Sequence, residues 1–293
     1  MLTISNVTKH YGERRVLDDV SFEVGRGRLT GFVGGNGAGK TTTMRIILGV
    51  LAADSGSIDL DGSPLTREGR RRFGYMPEER GLYPKMKVHE QLVYLARLRG
   101  MRSAVAAEKA DELLERLELH ERRNEPIEKL SLGNQQRAQI AAALVHEPEV
   151  LVLDEPFSGL DPMAVETVLG VLSERAARGV PVLFSSHQLD VVERLCDDIV
   201  VIADGAIRAA GTREALREAN SGSQWELQVG DDAAWVRAMP DIEVVEFDGS
   251  YVLFEADARS AQSVVQQAAQ RGEVHRFAPR RPTLTEIFRE VVQ

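Results

Sequence analysis

Residues 29–51 read LTGFVGGNGAGKTTTMRIILGVL. Leu29 to Val33 is a short apolar run closed by glycine, the pattern of a buried strand. Gly34-Gly35-Asn36-Gly37-Ala38-Gly39-Lys40-Thr41 then fits G-x-x-x-x-G-K-[ST], the phosphate-binding P-loop. Beyond it Met44, Ile47, Leu48 and Leu51 recur at helical spacing. Strand, glycine loop and helix together are the context this motif needs. Glycines let backbone N–H groups turn inward and approach phosphate oxygens. The helix N-terminus adds unpaired donors and the positive end of its dipole. Gly34, Asn36, Gly37, Ala38, Gly39, Lys40, Thr41 and Thr42 are therefore expected to bind a nucleotide. Lys40 supplies a mobile cation for the β/γ-phosphates, and the Thr41 hydroxyl can ligate Mg²⁺.

Outward from this stretch, Leu2, Ile4 and Val7 alternate as in a half-buried strand, and 16–24 predicts a second one. Residues 57–62 read as a strand ending in a turn. The basic cluster Arg67, Arg70, Arg71 and Arg72 reads as a solvated face. Residues 73–84 form a Pro- and Gly-rich loop after a short strand, and 86–146 read as mainly helical. Residues 149–153 are a continuous apolar strand, as in a parallel sheet covered on both faces. Asp161-Pro162 opens a helix closed by Gly179, and strands follow at 180–185 and 199–203. The expected division is a P-loop α/β domain over 1–213, a linker over 214–223 and an accessory α+β domain over 224–293. The last part reads strand 224–229, helix 231–238, strand 242–247, strand 251–256, helix 258–271, strand 273–277. That βαββαβ order predicts a small ferredoxin-like split unit. A final helix starts at Thr283, where Thr283 and Glu286 fit a capping box.

Of 293 residues 43% are hydrophobic, enough for a large core, and the net charge of −9 argues against a broad nucleic-acid surface. The single cysteine, Cys196, lies in a helical pattern and reads as a small buried apolar residue. With one cysteine no internal disulfide forms, which fits a reducing cytosol. No stretch approaches the roughly 18 uninterrupted apolar residues of a membrane span, and the N-terminus lacks a hydrophobic secretion segment.

A P-loop alone fits kinases, GTPases and many ATPases. Four later stretches narrow the field. VLVLDEP places Asp154 and Glu155 at the carboxyl end of a buried strand, the edge where open α/β sheets bind ligands. Asp154 can hold the Mg²⁺ shell, and Glu155 can orient and deprotonate the attacking water. LSLGNQQ over 130–136 precedes a helix, so the Ser131 hydroxyl and Gly133 backbone sit at a helix N-terminus that suits an anion. SGLD follows at 158–161, ending on Asp161. Ser185-Ser186-His187 ends another strand, which places His187 on the same sheet edge for a γ-phosphate contact.

Together these residues resemble the ATP-binding-cassette (ABC) ATPase family. GGNGAGKTT matches its Walker A, LSLGNQQ its signature, VLVLDEP its Walker B, SGLD its D-loop and SSH its switch histidine. The resemblance covers 1 to about 213 and implies a mainly parallel core sheet, an antiparallel β subdomain and a helical subdomain near 86–146. It places Tyr11 where the family stacks an aromatic on adenine, although such a residue could equally pack in the first sheet. GYMPEERGLYP and the tail RFAPRRPTLTEIF are similar to ATPase subunits of bacterial sodium and drug exporters. Two departures stand out. Leu132 and Asn134 replace the signature's central glycine and its glutamine, while Ser131 and Gly133 remain. Glu78 replaces the Q-loop glutamine and is expected to serve the metal and its water with carboxylate oxygen. The resemblance implies ATP and Mg²⁺ as ligands and a head-to-tail dimer, with each nucleotide between one P-loop and the other chain's Ser131, Gly133 and Asn134. A homodimer is the simplest pair, a second cassette ATPase the alternative. A separate integral-membrane permease completes the exporter and holds the chain at the inner face of the cell membrane, in the cytoplasm. A soluble cassette ATPase regulating a non-transport process is the competing reading. Chromosome-type members need a long coiled coil where only residues 42–129 intervene here.

Overall fold

The computed structural model describes residues 1–79, 81–219 and 222–292. The chain divides into two compact units, 1–213 together with 291–293, and 214–290.

The first unit runs β1 (Leu2–Tyr11), β2 (Arg14–Val24), β3 (Leu29–Val33), α1 (Lys40–Ile47), β4 (Ser55–Leu60), β5 (Ser63–Pro64), α2 (Arg67–Arg70) and β6 (Phe73–Met76). Helices α3 (Val88–Leu98), α4 (Ser103–Arg116) and α5 (Leu132–Leu144) follow. Then come β7 (Val150–Leu153), α6 (Pro162–Ala177), β8 (Val182–Ser186), α7 (Leu189–Leu195), β9 (Asp198–Ala203) and β10 (Ala206–Thr212). The helices form where apolar residues repeat at helical spacing. Val88, Leu92 and Ala96 face inward on α3, and Ala106, Ala110, Leu113 and Leu114 on α4. Asp161 caps α6 by accepting from the Ala164 amide at 2.9 Å, with Pro162 in the first turn.

Strands β2-β1-β4-β5 make a four-stranded antiparallel sheet, and β10-β9-β3-β8-β7-β6 a six-stranded one. The latter is parallel from β9 to β6, with β10 antiparallel at its edge. Strands β3, β7 and β8 are buried throughout, as continuous apolar runs require when both faces are covered. One core joins the two sheets: the rings of Phe22 and Phe32 meet at a 30° tilt with centroids 5.1 Å apart, and Met44 and Ile47 of α1 pack with them. Register aligns the carboxyl ends, because Val33 pairs with Ser186, Leu153 with Phe184 and Met76 with Leu153. Whatever follows Val33, Leu153, Ser186 and Met76 therefore meets at one edge.

In the second unit, α8 (Arg213–Ala219) occupies much of the stretch expected to be a linker; Asn220 and Ser221 lie outside the described residues. After it come β11 (Gln224–Val229), β12 (Glu243–Asp248), β13 (Tyr251–Glu255), α9 (Ala258–Arg271), β14 (Val274–Pro279) and α10 (Leu284–Val292). The sheet is antiparallel in the order β12-β13-β11-β14, the interleaved order of a ferredoxin-like split unit. The expected first helix shrinks to a 3₁₀ turn, Ala234–Ala238. Phe254, Val252, Leu227, Val264 and Ala261 make its core. Thr283 and Glu286 form the reciprocal capping box, with Glu286 accepting from the Thr283 amide at 2.8 Å and Thr283 from the Glu286 amide at 3.2 Å.

Candidate functional site

The loop after β3 closes on itself. Gly39 sits at φ 112°, and a Cβ there would lie 2.6 Å from Leu17; at Gly34 a Cβ would lie 2.4 Å from the Ile202 carbonyl. Only glycine fits at either place, so the loop hugs the sheet edge and α1 starts directly from it. The Lys40 ammonium folds back onto the loop and donates to the carbonyls of Gly34 at 2.6 Å and Gly35 at 3.2 Å. Burial pushes the Lys40 ammonium below its ordinary range, while Glu155, Asp154 and Glu78 oppose that shift.

Asp154, directly after β7, is buried, and both of its oxygens are occupied. Oδ2 accepts from the Thr41 hydroxyl at 3.0 Å, and Oδ1 from the Ser185 hydroxyl at 2.5 Å. Ser185 in turn accepts from the Glu155 amide at 2.8 Å. Glu155 takes a left-handed backbone, φ 52°, which turns its side chain out of the strand line. Its Oε2 lies 2.9 Å from His187 Nδ1, which donates. Gln136 Nε2, from α5, donates to the Glu155 and Pro156 carbonyls at 2.9 and 3.1 Å.

A cavity of about 450 Å³ opens here, lined by the loop 35–42 with Glu78, Asp154 and Glu155, and by Arg14 and Val16 on the far side. The fit to a nucleotide triphosphate rests on these donors: a loop of backbone amides, a helix start and one ammonium. The fit to Mg²⁺ rests on hard oxygen, the Thr41 hydroxyl and the Asp154 and Glu78 carboxylates. Among the described residues no cluster of three or more His, Cys, Asp or Glu is disposed to hold a metal alone.

Of the residues singled out in the sequence, Asn36, Gly37, Ala38, Gly39, Lys40, Thr41, Thr42, Glu78, Asp154 and Glu155 line this cavity, with Gly34 beneath it and His187 on Glu155. Five others stand apart. Ser131 caps α5, accepting from the Asn134 amide at 3.3 Å, and Asn134 accepts from Arg137 at 2.5 Å. Gly133 lies against the Gly159 carbonyl and Asp161 caps α6. Tyr11, half exposed at the end of β1, is not in the lining either, whereas Arg14 and Val16 are. Ser185, Gln136, Arg14 and Val16 escaped sequence reasoning; only Ser185 had a usable signal, as a hydroxyl on the strand end beside His187.

Comparison with known proteins gives the family. Residues 17–158 match the ABC transporter family, and 211–292 match the C-terminal domain of DrrA1-3-like ATP-binding proteins. The ABC transporter ATP-binding protein YhaQ of Bacillus subtilis is 38% identical over 293 residues, covering 100% of this chain and 98% of YhaQ. The chain belongs to the ABC transporter ATP-binding proteins. As an ABC ATPase it binds and hydrolyses ATP. Nod factor export ATP-binding protein I of Paraburkholderia xenovorans is 35% identical over 94% of this chain and 93% of its own. A solved structure described as the dimeric structure of MJ0796, a bacterial ABC transporter cassette, superposes with a TM-score of 0.67. It is 25% identical and covers 73% of this chain and 99% of that one. Among the described residues no helix of this ABC protein is long and apolar enough to cross a membrane.

Proposed function

We propose that this ABC ATPase energises export through a separate membrane permease, working as a head-to-tail pair of copies at the cytoplasmic face of the cell membrane. The observation that carries the pairing is the split of the site. Lys40, Thr41, Asp154 and Glu155 line one cavity, while Ser131, Gly133 and Asn134 of the same chain stand outside it. A second copy, or a second cassette ATPase, supplies the missing face, as the dimeric MJ0796 cassette supports. Export is supported by the relative named for Nod factor export and by the DrrA-like C-terminal part. Nucleic acid is not part of this reading.

The residues then take the following roles. The loop 34–42 and Lys40 hold the β- and γ-phosphates, and the partner copy's signature closes over them. Tyr11 lies near enough in sequence to Arg14 and Val16 to cover the adenine face. Bound Mg²⁺, held by Thr41, Asp154 and Glu78, would neutralise charge on the phosphate oxygens. Glu155 accepts the proton of the attacking water, and His187, hydrogen-bonded to its carboxylate, orients it and reaches the γ-phosphate. Asp161 stiffens the loop that follows Glu155 by capping α6.

Purified Glu155→Gln protein tests this. It should bind MgATP as well as the native chain, accumulate as a dimer and turn over about 10²–10⁴-fold more slowly. Near-native turnover would move the base elsewhere and undo the assignment.

A further inference from the structure

Helix α5 carries two buried glutamines, Gln136 and Gln139, at 5% and 4% exposure. Three residues apart, they share one face of the helix. Their neighbours at similar depth are Ala138, Ile140, Ala141, Ala143 and Leu144, all apolar. A primary amide among them is costly unless its donors are used. Gln136 uses its donors on the backbone of Glu155 and Pro156. Gln139 does the same one loop away: its Nε2 donates to the Pro77 carbonyl at 2.6 Å and the Glu79 carbonyl at 3.2 Å.

Those two carbonyls flank Glu78. Among the described residues after β6, 77–79 and 81–86 hold no helix or strand, and Pro77 brings no N–H of its own. Further along, Gln91 of α3 accepts from the Tyr83 amide at 2.7 Å. Two glutamines thus hold this segment, Gln91 at Tyr83 and Gln139 at the residues on both sides of the carboxylate that lines the nucleotide cavity.

We propose that Gln139 is a positioning residue for ATP hydrolysis: its amide splints the backbone on either side of Glu78 and fixes that carboxylate at the mouth of the nucleotide cavity. This rests on the reading of Glu78 as part of the metal and water shell. The splint also ties Glu78 to the same helix that holds Glu155 through Gln136, so the two carboxylates keep a fixed spacing. A misplacement near 1 Å at a reacting centre costs about 10²-fold, so a loosened loop is expected to be slow.

The test uses the full chain with Gln139→Met, which keeps length and loses the donors, and Gln139→Glu, which keeps shape and puts carboxylate oxygen against the carbonyls. Both should lower kcat about tenfold or more, leave the KM for ATP nearly unchanged and raise the Mg²⁺ needed for half-maximal rate. In the nucleotide-free protein, amide hydrogen exchange at residues 78–83 should speed up while exchange in β3 and β7 stays native. If Gln139 acts through Glu78, adding Gln139→Met to Glu78→Ala slows turnover no further. Native kcat, Mg²⁺ dependence and exchange in the folded Gln139 variants, with Glu78→Ala slow, would overturn the splint alone. So would a double variant slower than Glu78→Ala. Native turnover of Glu78→Ala would instead remove the reading on which the splint rests. Should the Met variant fail to fold, the Glu variant decides.

Discussion

Residues 1–213 bury Thr30, Lys40, Thr43, Gln91, Gln136, Gln139, Asp154, Arg175, Ser185 and Ser186 almost completely. Over 214–289 every fully buried side chain among the described residues is apolar. Both parts pack helices on a sheet, so the architecture does not demand the difference. A buried polar group costs about 1–3 kcal/mol unless its hydrogen bonds are made. In the first unit part of that cost is offset at one edge, where Thr41, Ser185 and Gln136 engage Asp154 and the backbone of Glu155. Among the described residues of the second unit no polar side chain is fully buried, and the unit reads as a packing module. The contrast locates the chemistry: a chain keeps expensive polar burial where a reaction needs fixed dipoles and charges.

The largest expected effect separates stability from chemistry. Phe254, fully buried in the second unit, should lose about 3–5 kcal/mol of that unit's stability on substitution to alanine. Below its unfolding transition, MgATP affinity should stay within about twofold of native if the two units act independently. Calorimetry with nucleotide titration reads both. An equal loss of nucleotide affinity would break the comparison.

His146 extends it to pH. Burial pushes this imidazole down to about 4, and its Nε2 lies 3.1 Å from the Phe73 carbonyl. Between about pH 6.5 and 4 the unfolded chain binds the proton and the folded one resists it. The stability from neutral His146 is therefore complete above pH 6.5 and is lost as pH falls toward 4, by up to about 3 kcal/mol. Melting temperatures of native protein and His146→Gln across that window should converge as pH falls. Parallel curves would show that His146 is protonated without cost.

Ser185→Ala comes next. It strips Asp154 Oδ1 and the Glu155 amide of a partner and should cost about 1–3 kcal/mol, with slower turnover. Denaturant unfolding and an ATPase assay check it. Unchanged stability would mean that water replaces the hydroxyl.

Smallest of all should be the effect of ending the chain near Arg217 on ATP binding, within about twofold of native if the two units are independent. A folded truncation without nucleotide affinity would place part of the site beyond that point.

How much of this was legible in the sequence follows from range. The P-loop, the Asp161-Pro162 helix start and the Thr283–Glu286 box are local patterns whose physics acts within a few residues, and each reads directly. Strand β10 has no signal in the sequence because AIRAAGT does not alternate; pairing with β9 through the Asp204-Gly205 turn, both at positive φ, creates it. Residues 214–223 read as a linker because the neighbouring Ser-Gly stretch dominates the composition, whereas helix α8 reaches Ala219. At the site, Lys40, Asp154, Glu155 and His187 were legible because each follows a strand of one sheet. The clasps made by Gln136 and Gln139 were not, since they link positions about 20 and 60 residues away that only tertiary folding brings together.

The proposed pair of copies assembles one hydrolytic site from the sheet edge of one copy and the signature of the other. Mixing Lys40→Ala subunits with Ser131→Arg subunits tests it most directly. Each parent alone should be inactive, because both of its sites are damaged. The mixed dimer should regain ATPase activity, because one site then combines an intact P-loop with an intact Ser131. Mixed dimers that form, by native mass spectrometry, and yet stay as inactive as their parents would contradict the account.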